Sequence, residues 1–345
     1  MIGILFFIGL FSVKTVVDAG EFKTINPHFD GSCNSIYGLD GPEDIILFND
    51  STAFVSADPR RIQNTSSFYS YENKTHYSKQ GSIFKYNTNT RKLQDLTSKL
   101  DFEFHPHGIS IYESNNEIYL NVVNHTSIGN SVISFILINN ELVVIKEISS
   151  PLLVSPNDLV MIDKDKFYIT NDHQSSNAMG KLVEDYLQLS KSNILFYDGE
   201  KFTVCAKKLK YANGINISND FTKIYVAETI GRRIRVYNRN ELNNSLELLD
   251  IINVNSGVDN IELDQDGNLW IGSHPKLFDF LKHAKDKKNL SPSQVIVISG
   301  STYEVTEIFL SNGKDMSGST VAAVYNKNLL IGSVFEDHFL HCIFD

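Results

Sequence analysis

Short apolar segments separated by polar turns recur along the whole chain. Each unit begins at a polar residue, continues through an apolar strand and a turn, and returns on a second strand to another polar residue. Six such units occupy residues 43–58, 107–125, 157–173, 213–228, 259–274 and 318–333. A recurring period of this kind is typical of a closed array of similar sheets. We therefore predict an all-β, six-bladed β-propeller in which each hairpin forms the inner part of a blade.

Two stretches that follow inner hairpins show a helical pattern instead. Residues 174–191 and 276–290 carry apolar side chains at spacings of three and four, which predicts amphipathic helices. Both should emerge on one face of the propeller, the face where the hairpins begin. These helices can pack on the blades, form a lid over an apolar substrate, or contact a lipid surface, and the sequence leaves these alternatives open.

The polar residues at the hairpin starts should converge. In an antiparallel hairpin the first residue and the last lie at the same edge, so the six starts meet at one mouth of the channel. This mouth should therefore collect the polar residues Glu43, Asp44, His107, Asn157, Asp158, Asn213, Asp259 and Asn260. Carboxylate and amide oxygens in this number suit calcium better than magnesium or zinc. The alternative is that Asx residues stand before strands because they cap turns.

Histidines are also placed at this edge. The hairpin geometry brings His125 towards His107 and His173 towards Asn157. Because histidine titrates near neutrality, a pair beside a metal suits general-base chemistry. A histidine near a strand can equally be an ordinary polar residue that hydrogen-bonds a neighbour.

Composition narrows the class of protein. The chain has 345 residues and a formal net charge of −10, which argues against a nucleic-acid partner because phosphate recognition uses clustered Lys and Arg. A closed array of this length is one domain, here residues 20–345. The oligomeric state stays open.

The N-terminus indicates the secretory pathway. Ile2–Val13 is an apolar run of the length of a signal-peptide core, with small residues before Gly20, so residues 1–19 are a signal peptide or a retained hydrophobic anchor. The product is then secreted, or membrane-associated within the secretory pathway. Asn64, Asn73 and Asn243 lie in polar loops as Asn-x-Ser/Thr motifs and are the predicted glycosylation sites.

The three cysteines fit an oxidising compartment with one bonded pair. A disulfide between Cys33 and Cys342 would tie the two ends of the ring together. Cys205 is expected to be a small buried hydrophobe. Trp270 is expected in the core by default, although a bulge at Gly272 can turn it towards the channel.

With these residues in view, the chain resembles the paraoxonase family from about Cys33 to Cys342. The resemblance is carried by the segments 41–44, 106–110, 122–125, 157–158, 170–173, 212–218, 258–260, 274–275 and 318–322. It implies a six-bladed propeller that holds two calcium ions. Glu43, Asn157, Asn213, Asp259 and Asn260 match the ligands of the upper, catalytic ion. Asp44, Asp158 and the backbone carbonyl of Ile109 match those of the buried, structural ion.

The same resemblance implies a function. His107 matches the histidine that activates water and His125 the one that orients it, in hydrolysis of esters and lactones. Our own mechanistic hypothesis adds Asn213 as a further donor to the oxyanion. A small-molecule ester or lactone is thus the expected partner, and organophosphate hydrolysis a side activity. Two rivals remain: a gluconolactonase-like hydrolase of sugar lactones, and a secreted propeller that binds a ligand and keeps calcium only for rigidity.

Overall fold

Twenty-four β-strands form six four-stranded antiparallel sheets in residues 11–61 and 79–345, the part of the chain that this computed structural model describes. Five sheets use four consecutive strands each, and the sixth combines the last three strands with β1. The inner strands of successive sheets contact one another around a ring. The predicted six-bladed propeller is therefore confirmed.

The blades are numbered in chain order. Blade 1 contains β2 (Pro42–Asn49), β3 (Thr52–Ala57), β4 (Ser82–Asn87) and β5 (Lys92–Asp95), and blade 2 contains β6 (Pro106–Ser114), β7 (Glu117–Thr126), β8 (Gly129–Ile138) and β9 (Glu141–Ser149). Blade 3 contains β10 (Pro156–Asp163), β11 (Lys166–Asn171), β12 (Ser192–Tyr197) and β13 (Phe202–Leu209), and blade 4 contains β14 (Ala212–Ile217), β15 (Lys223–Glu228), β16 (Arg233–Arg239) and β17 (Leu246–Asn253). Blade 5 contains β18 (Gly257–Leu263), β19 (Leu269–His274), β20 (Ser293–Ile298) and β21 (Val305–Ser311), and blade 6 contains β22 (Ser319–Tyr325), β23 (Asn328–Ser333), β24 (His338–Phe344) and β1 (Gly31–Tyr37).

The hydrophobic core lies between the blades. On β2, Ile45 and Leu47 pack against blade 6, whereas Ile46 and Phe48 pack against blade 2. Successive residues of a strand point to opposite faces, so one apolar run supplies two interfaces. This explains why the inner strands read as nearly continuous apolar segments.

The ring is closed by β1, which pairs with β24 as the outer strand of blade 6. Cys33 lies directly opposite Cys342 in this pairing, and the two form the predicted disulfide across a sequence separation of 309 residues. A bridge over so long a loop stabilises the folded chain by about 4 to 5 kcal/mol in the chain-entropy picture.

Three short helices lie on the mouth face. Residues 11–18 form α1, Ala178–Tyr186 form α2, and Leu277–Lys285 form α3, so both predicted amphipathic helices are confirmed. The Asp18 carboxylate at the end of α1 accepts hydrogen bonds from Gln188 and Arg232. No helix in the described parts of the chain combines the length and apolar character needed to cross a membrane.

Trp270 packs in the core between blades 5 and 6, and its indole nitrogen donates to Asp264 at 2.9 Å. Cys205 is only half-buried, because it lies on the outer strand β13 with solvent nearby, so the expectation of a buried cysteine is wrong. Asn243 is exposed in the turn after β16. Asn64 and Asn73, like residues 1–10 of the predicted signal segment, lie outside the described residues.

Candidate active site

All six inner strands begin at the same end of the channel, because each blade starts a new hairpin in the same direction. Their first residues surround a cavity of about 710 Å³, which also contacts residues of α1, α2 and α3. This volume suits a small-molecule ligand. The structure thus places the predicted mouth at a cavity that all three helices help to line.

The predicted site residues fall into two layers. Those that line the cavity are Glu43, His107, His125, Asn157, Asn213 and Asp259. Those that are buried behind this layer are Asp44, Ile109, Asp158 and Asn260. The structure therefore brings the whole predicted set to one end of the channel.

Two glycines allow the inner strands to approach this closely. A Cβ added to Gly108 would lie 2.5 Å from Asp158 Oδ1, and one added to Gly214 would lie 2.5 Å from the carbonyl oxygen of Asp259. Any larger residue would push neighbouring blades apart at the channel. The backbone of blade 2 thus lies directly against a predicted ligand of blade 3.

The three asparagine amides are oriented by hydrogen bonds on their nitrogen side. Asn157 Nδ2 donates to Asp172 at 3.3 Å, and Asn213 Nδ2 donates to Thr229 Oγ1 at 3.1 Å. Asn260 Nδ2 donates to Glu43 Oε1 at 2.9 Å. Since the nitrogens are engaged, the amide oxygens are directed away from these partners. Asn213 therefore offers an acceptor oxygen to the site, and its role as a further donor stays a prediction.

Four buried oxygens at the mouth have no hydrogen-bond partner among the described residues. They are Glu43 Oε2, Asn157 Oδ1, Asn213 Oδ1 and Asn260 Oδ1. Buried acceptors are rarely left unpaired, and each such atom costs folding free energy. All four belong to residues predicted as ligands of one cation, and hard oxygen donors are what calcium prefers. The residues present therefore fit a calcium ion.

The buried pair Asp44 and Asp158 is held by backbone amides. Asp44 accepts from Ile45 N and Ile109 N, and Asp158 accepts from Leu159 N and Ile215 N, at 2.7 to 2.9 Å. Burial raises the pKa of Asp44 well above its usual range, and the Glu43 carboxylate adds to that rise. Burial, with the charge of Asp44, does the same to the pKa of Asp158. A cation between these carboxylates would offset both effects.

The outer carboxylates differ from one another. Burial raises the pKa of Glu43, but the neighbouring His107 and Arg60 and the hydrogen bond from Asn260 outweigh it and hold that pKa at about 2. Glu43 is therefore ionised at neutral pH. Burial raises the pKa of Asp259, although its Oδ2 lies 2.8 Å from His274 Nε2. The His274 ring in turn stacks on Phe280 of α3, so a helix residue supports this part of the site.

The two histidines form a hydrogen-bonded chain whose proton positions can be deduced. Asn130 Nδ2 donates to the carbonyls of Leu153 and Val154, so Asn130 Oδ1, 2.8 Å from His125 Nδ1, is an acceptor. His125 Nδ1 must then carry the proton. Burial lowers the pKa of His125 to about 3, with the charge of His107 as the next cause, so this ring is neutral and its Nε2 is an acceptor.

The proton position on His125 determines which nitrogen of His107 carries a proton. His107 Nδ1 lies 2.9 Å from His125 Nε2 and must donate to it. In a neutral His107 the second nitrogen, Nε2, then has a free lone pair. This atom lies 3.5 Å from Glu43 Oε1 at the cavity wall. The lone pair therefore lies at the cavity wall, where a water molecule can reach it.

Sequence reasoning missed Asn130 and the network around Asp172. The Asp172 carboxylate lies 2.7 Å from His173 Nδ1, and His173 Nε2 lies 2.9 Å from Asp185 of α2. His173 was expected beside Asn157, but Asp172 is the residue that contacts Asn157. Only the polar run 171–173 at the end of β11 signals this network, because Asp185 comes from a helix whose docking is a tertiary event.

Comparison with known proteins agrees with the geometry. The arylesterase family model matches residues 42–343. The chain is 34% identical over 329 residues to serum paraoxonase/arylesterase 1 of Mus musculus, covering 91% of this chain and 90% of that protein. It is 34% identical to the Homo sapiens serum paraoxonase/arylesterase 1 over 322 residues, covering 88% and 87%.

The chain belongs to the arylesterase family. Two more distant solved structures share its fold. A luciferin-regenerating enzyme superposes with a TM-score of 0.57 at 12% identity, covering 91% of this chain and 95% of that one. A gluconolactonase of Xanthomonas campestris superposes with a TM-score of 0.52 at 14% identity, covering 94% and 99%. At these identities the likeness shows the propeller architecture alone, whereas the arylesterase relatives match nearly the whole sequence.

Proposed function

We propose that this arylesterase-family protein is a calcium-dependent hydrolase of carboxylic esters and lactones. The observation that carries the proposal is the set of four unpaired buried oxygens beside a histidine with a free Nε2 lone pair. The cavity at this point has the volume for a small molecule. The names of the relatives, paraoxonase and arylesterase, support the class of substrate.

The two layers of the site suggest two cation positions. We assign Glu43, Asn157, Asn213, Asp259 and Asn260 to the outer cation, and Asp44, Asp158 and the carbonyl of Ile109 to the inner cation. When bound at the outer position, calcium supplies a Lewis acid for the ester carbonyl. The inner position contributes rigidity, because a cation there offsets the repulsion between buried carboxylates.

His107 is the general base in this proposal. Its Nε2 takes the proton of the water molecule as that water attacks the ester carbon, and Nδ1 keeps its hydrogen bond to His125. The nearby Glu43 carboxylate stabilises the imidazolium that forms. The same nitrogen can then return the proton to the leaving oxygen, so no covalent bond to the protein is required.

We also infer that the protein enters the secretory pathway. The disulfide between Cys33 and Cys342 is stable in an oxidising compartment, and the relatives carry the word serum in their names. The apolar N-terminus and the exposed Asn243 motif are consistent with this route.

The test compares phenyl acetate, an aliphatic δ-lactone and a sugar lactone as substrates, with calcium and with a chelator. We expect hydrolysis of the first two in calcium and none in chelator. The variant His107→Gln should lose about 10²- to 10⁴-fold in kcat/KM, the contribution of a general base. The exposed His28 provides a matched control, since His28→Gln should retain full activity.

Each rival predicts a different result. Preference for the sugar lactone would favour a gluconolactonase-like enzyme. Undiminished hydrolysis in chelator would reject the role of calcium. A His107→Gln variant as active as the wild type would reject the general base, and absence of hydrolysis in a calcium-bound protein would favour a binding propeller.

A further inference from the structure

Five inner strands share a local pattern that makes one residue stand out. In blades 1 to 5 a polar pair or a polar–glycine pair is followed by a core residue: Ile45, Ile109, Leu159, Ile215 or Ile261. The residue after the core residue is, in the same order, Ile46, Ser110, Val160, Asn216 or Glu262. Glu262 is the charged member of this set.

The direction of these side chains follows from their contacts. Ser110 accepts a hydrogen bond from Met161 N in the next blade, and Asn216 donates to the carbonyl of Ile261 in the next blade. Ile261 packs between blades 4 and 5, so Glu262 points to the opposite face of β18. Glu262 is the cross-strand partner of Trp270, which packs between blades 5 and 6. Glu262 is therefore directed towards blade 6 at the channel edge.

The channel edge at Glu262 lies near the buried carboxylates of blade 1. On the inner strand of blade 6, the small residue Ala322 packs towards blade 5, and the Thr320 hydroxyl donates to the carbonyl of Glu43 in blade 1. Two residues earlier on β18, Asn260 already reaches past blade 6 to donate to Glu43 of blade 1. Glu262 is offset from Asn260 by about 7 Å along the strand, at 3.3 to 3.4 Å per residue. It thus lies on the inner side of the site, facing the level of Asp44.

The carboxylate of Glu262 differs from its counterparts in having no partner. Ser110 and Asn216 hydrogen-bond the next blade, and the Asn216 oxygen also accepts from Ile217 N, whereas Glu262 receives no hydrogen bond or ion pair from residues 11–61 or 79–345. The residue is half-buried. Its charge lies within electrostatic reach of the Asp44 carboxylate. An ionised group in this position needs a positive charge nearby.

We propose that Glu262 supplies a third carboxylate to the inner cation, beside Asp44 and Asp158, directly or through one water molecule. This inference rests on the proposed function, which assigns a calcium ion to that position. Calcium affinity increases with the number of charged ligands, so Glu262 makes the inner ion harder to remove. Its role is retention of the ion rather than contact with substrate.

The test measures calcium retention in the full chain. Wild type, Glu262→Gln and Glu262→Asp are titrated with calcium in chelator buffers, and bound calcium per chain is counted after gel filtration. The chain contains a single tryptophan, Trp270, directly opposite Glu262, so its emission reports the same site. Glu247→Gln, on the exposed face of the outer strand β17, is a control with the same change in net charge.

We expect Glu262→Gln to raise the Kd of the tighter-bound ion by about 10- to 100-fold, as loss of one charged ligand should. Glu262→Asp should give a smaller rise, and Glu247→Gln none. If Glu262→Gln does not fold, Glu262→Ser, which copies the residue at position 110, replaces it. A folded neutral variant with wild-type retention overturns the inference. A wild-type protein that binds no calcium overturns the proposed function itself, which separates the two failures.

Discussion

Two groups of buried carboxylates in this propeller are stabilised in opposite ways. Glu228, at the end of β15, is fully buried and pairs with the guanidinium groups of Arg233 and Arg235, and its Oε1 also accepts from Lys210 N. Asp44 and Asp158 are equally enclosed, but their hydrogen bonds come from neutral backbone amides. Within residues 11–61 and 79–345, Glu228 thus has two cationic partners, whereas no cationic side chain pairs with Asp44 or Asp158.

This contrast separates a structural carboxylate from a site carboxylate. Removal of one partner from a buried ion pair leaves an uncompensated charge, whatever ions the solution contains. Removal of a carboxylate from a cation site has an effect that depends on the cation. The sign of the change in chelator therefore distinguishes the two kinds of carboxylate.

The largest expected loss is at Glu228. Glu228→Gln leaves Arg233 and Arg235 without their shared counter-charge, and should lower the free energy of unfolding by about 3 to 5 kcal/mol. Denaturant unfolding followed by circular dichroism measures this loss. The loss should be equal in calcium and in chelator, and a dependence on calcium would contradict the structural role of Glu228.

Asp158→Asn should give opposite signs in the two conditions. In calcium the variant loses an anionic ligand, and we expect a loss of about 2 to 3 kcal/mol, comparable to the stabilisation by a ligand near 100 times its Kd. In chelator the variant should be more stable than the wild type, because the raised pKa of Asp158 shows that its charged form is unfavourable there. The same unfolding assay checks both, and a loss of similar size in chelator would place Asp158 in the class of Glu228.

The metal-free protein should lose stability as the pH rises. For a carboxyl whose pKa is higher in the folded state, the folded form binds the proton more tightly, so stability is full below the ordinary carboxyl pKa near 4 and falls above it. The raised pKa values of Asp44 and Asp158 predict a fall of up to about 1.4 kcal/mol per pH unit for each group. Unfolding measured from pH 4 to pH 8 in chelator tests this, and saturating calcium should flatten the profile. A flat profile without calcium would contradict it.

The two hydrogen-bonded histidines of the site differ in how many of their ring nitrogens have a protein partner. Both nitrogens of His125 are hydrogen-bonded, one to Asn130 and the other to His107, while His107 Nε2 faces the cavity. Asn130→Leu removes the acceptor that fixes the proton on His125 Nδ1, so the tautomer of His107 is no longer fixed. We expect about a tenfold loss of kcat, the smallest effect here, which corresponds to about 1.4 kcal/mol. An Asn130→Leu variant with unchanged kcat would contradict the proton assignment.

Much of the architecture was predictable because it depends on local patterns. The alternation of polar starts and apolar strands predicted the six hairpins, and the position of Cys33 before the first of them predicted the bond to Cys342. The order of strands then placed Glu43, His107 and Asn157 at one mouth, since antiparallel hairpins repeat in one direction. These are consequences of period and chain direction, which the sequence contains.

Other features depended on which atoms meet. The orientation of the Asn213 amide follows from its hydrogen bond to Thr229, 16 residues away. The proton on His125 follows from Asn130, whose amide is fixed by the carbonyls of Leu153 and Val154. No spacing rule predicts such contacts, because loops of different length bring them together.

The sequence alone thus determined the class of fold, the closing disulfide and the inventory of oxygen and imidazole groups at the channel mouth. Only the tertiary structure decided which nitrogen of His107 carries the lone pair. It also decided which buried oxygens find no partner among residues 11–61 and 79–345, and that the Glu262 carboxylate finds none there. The reason is physical: strand period fixes where a residue lies along a blade, whereas hydrogen-bond direction and charge balance are set by neighbours from other blades.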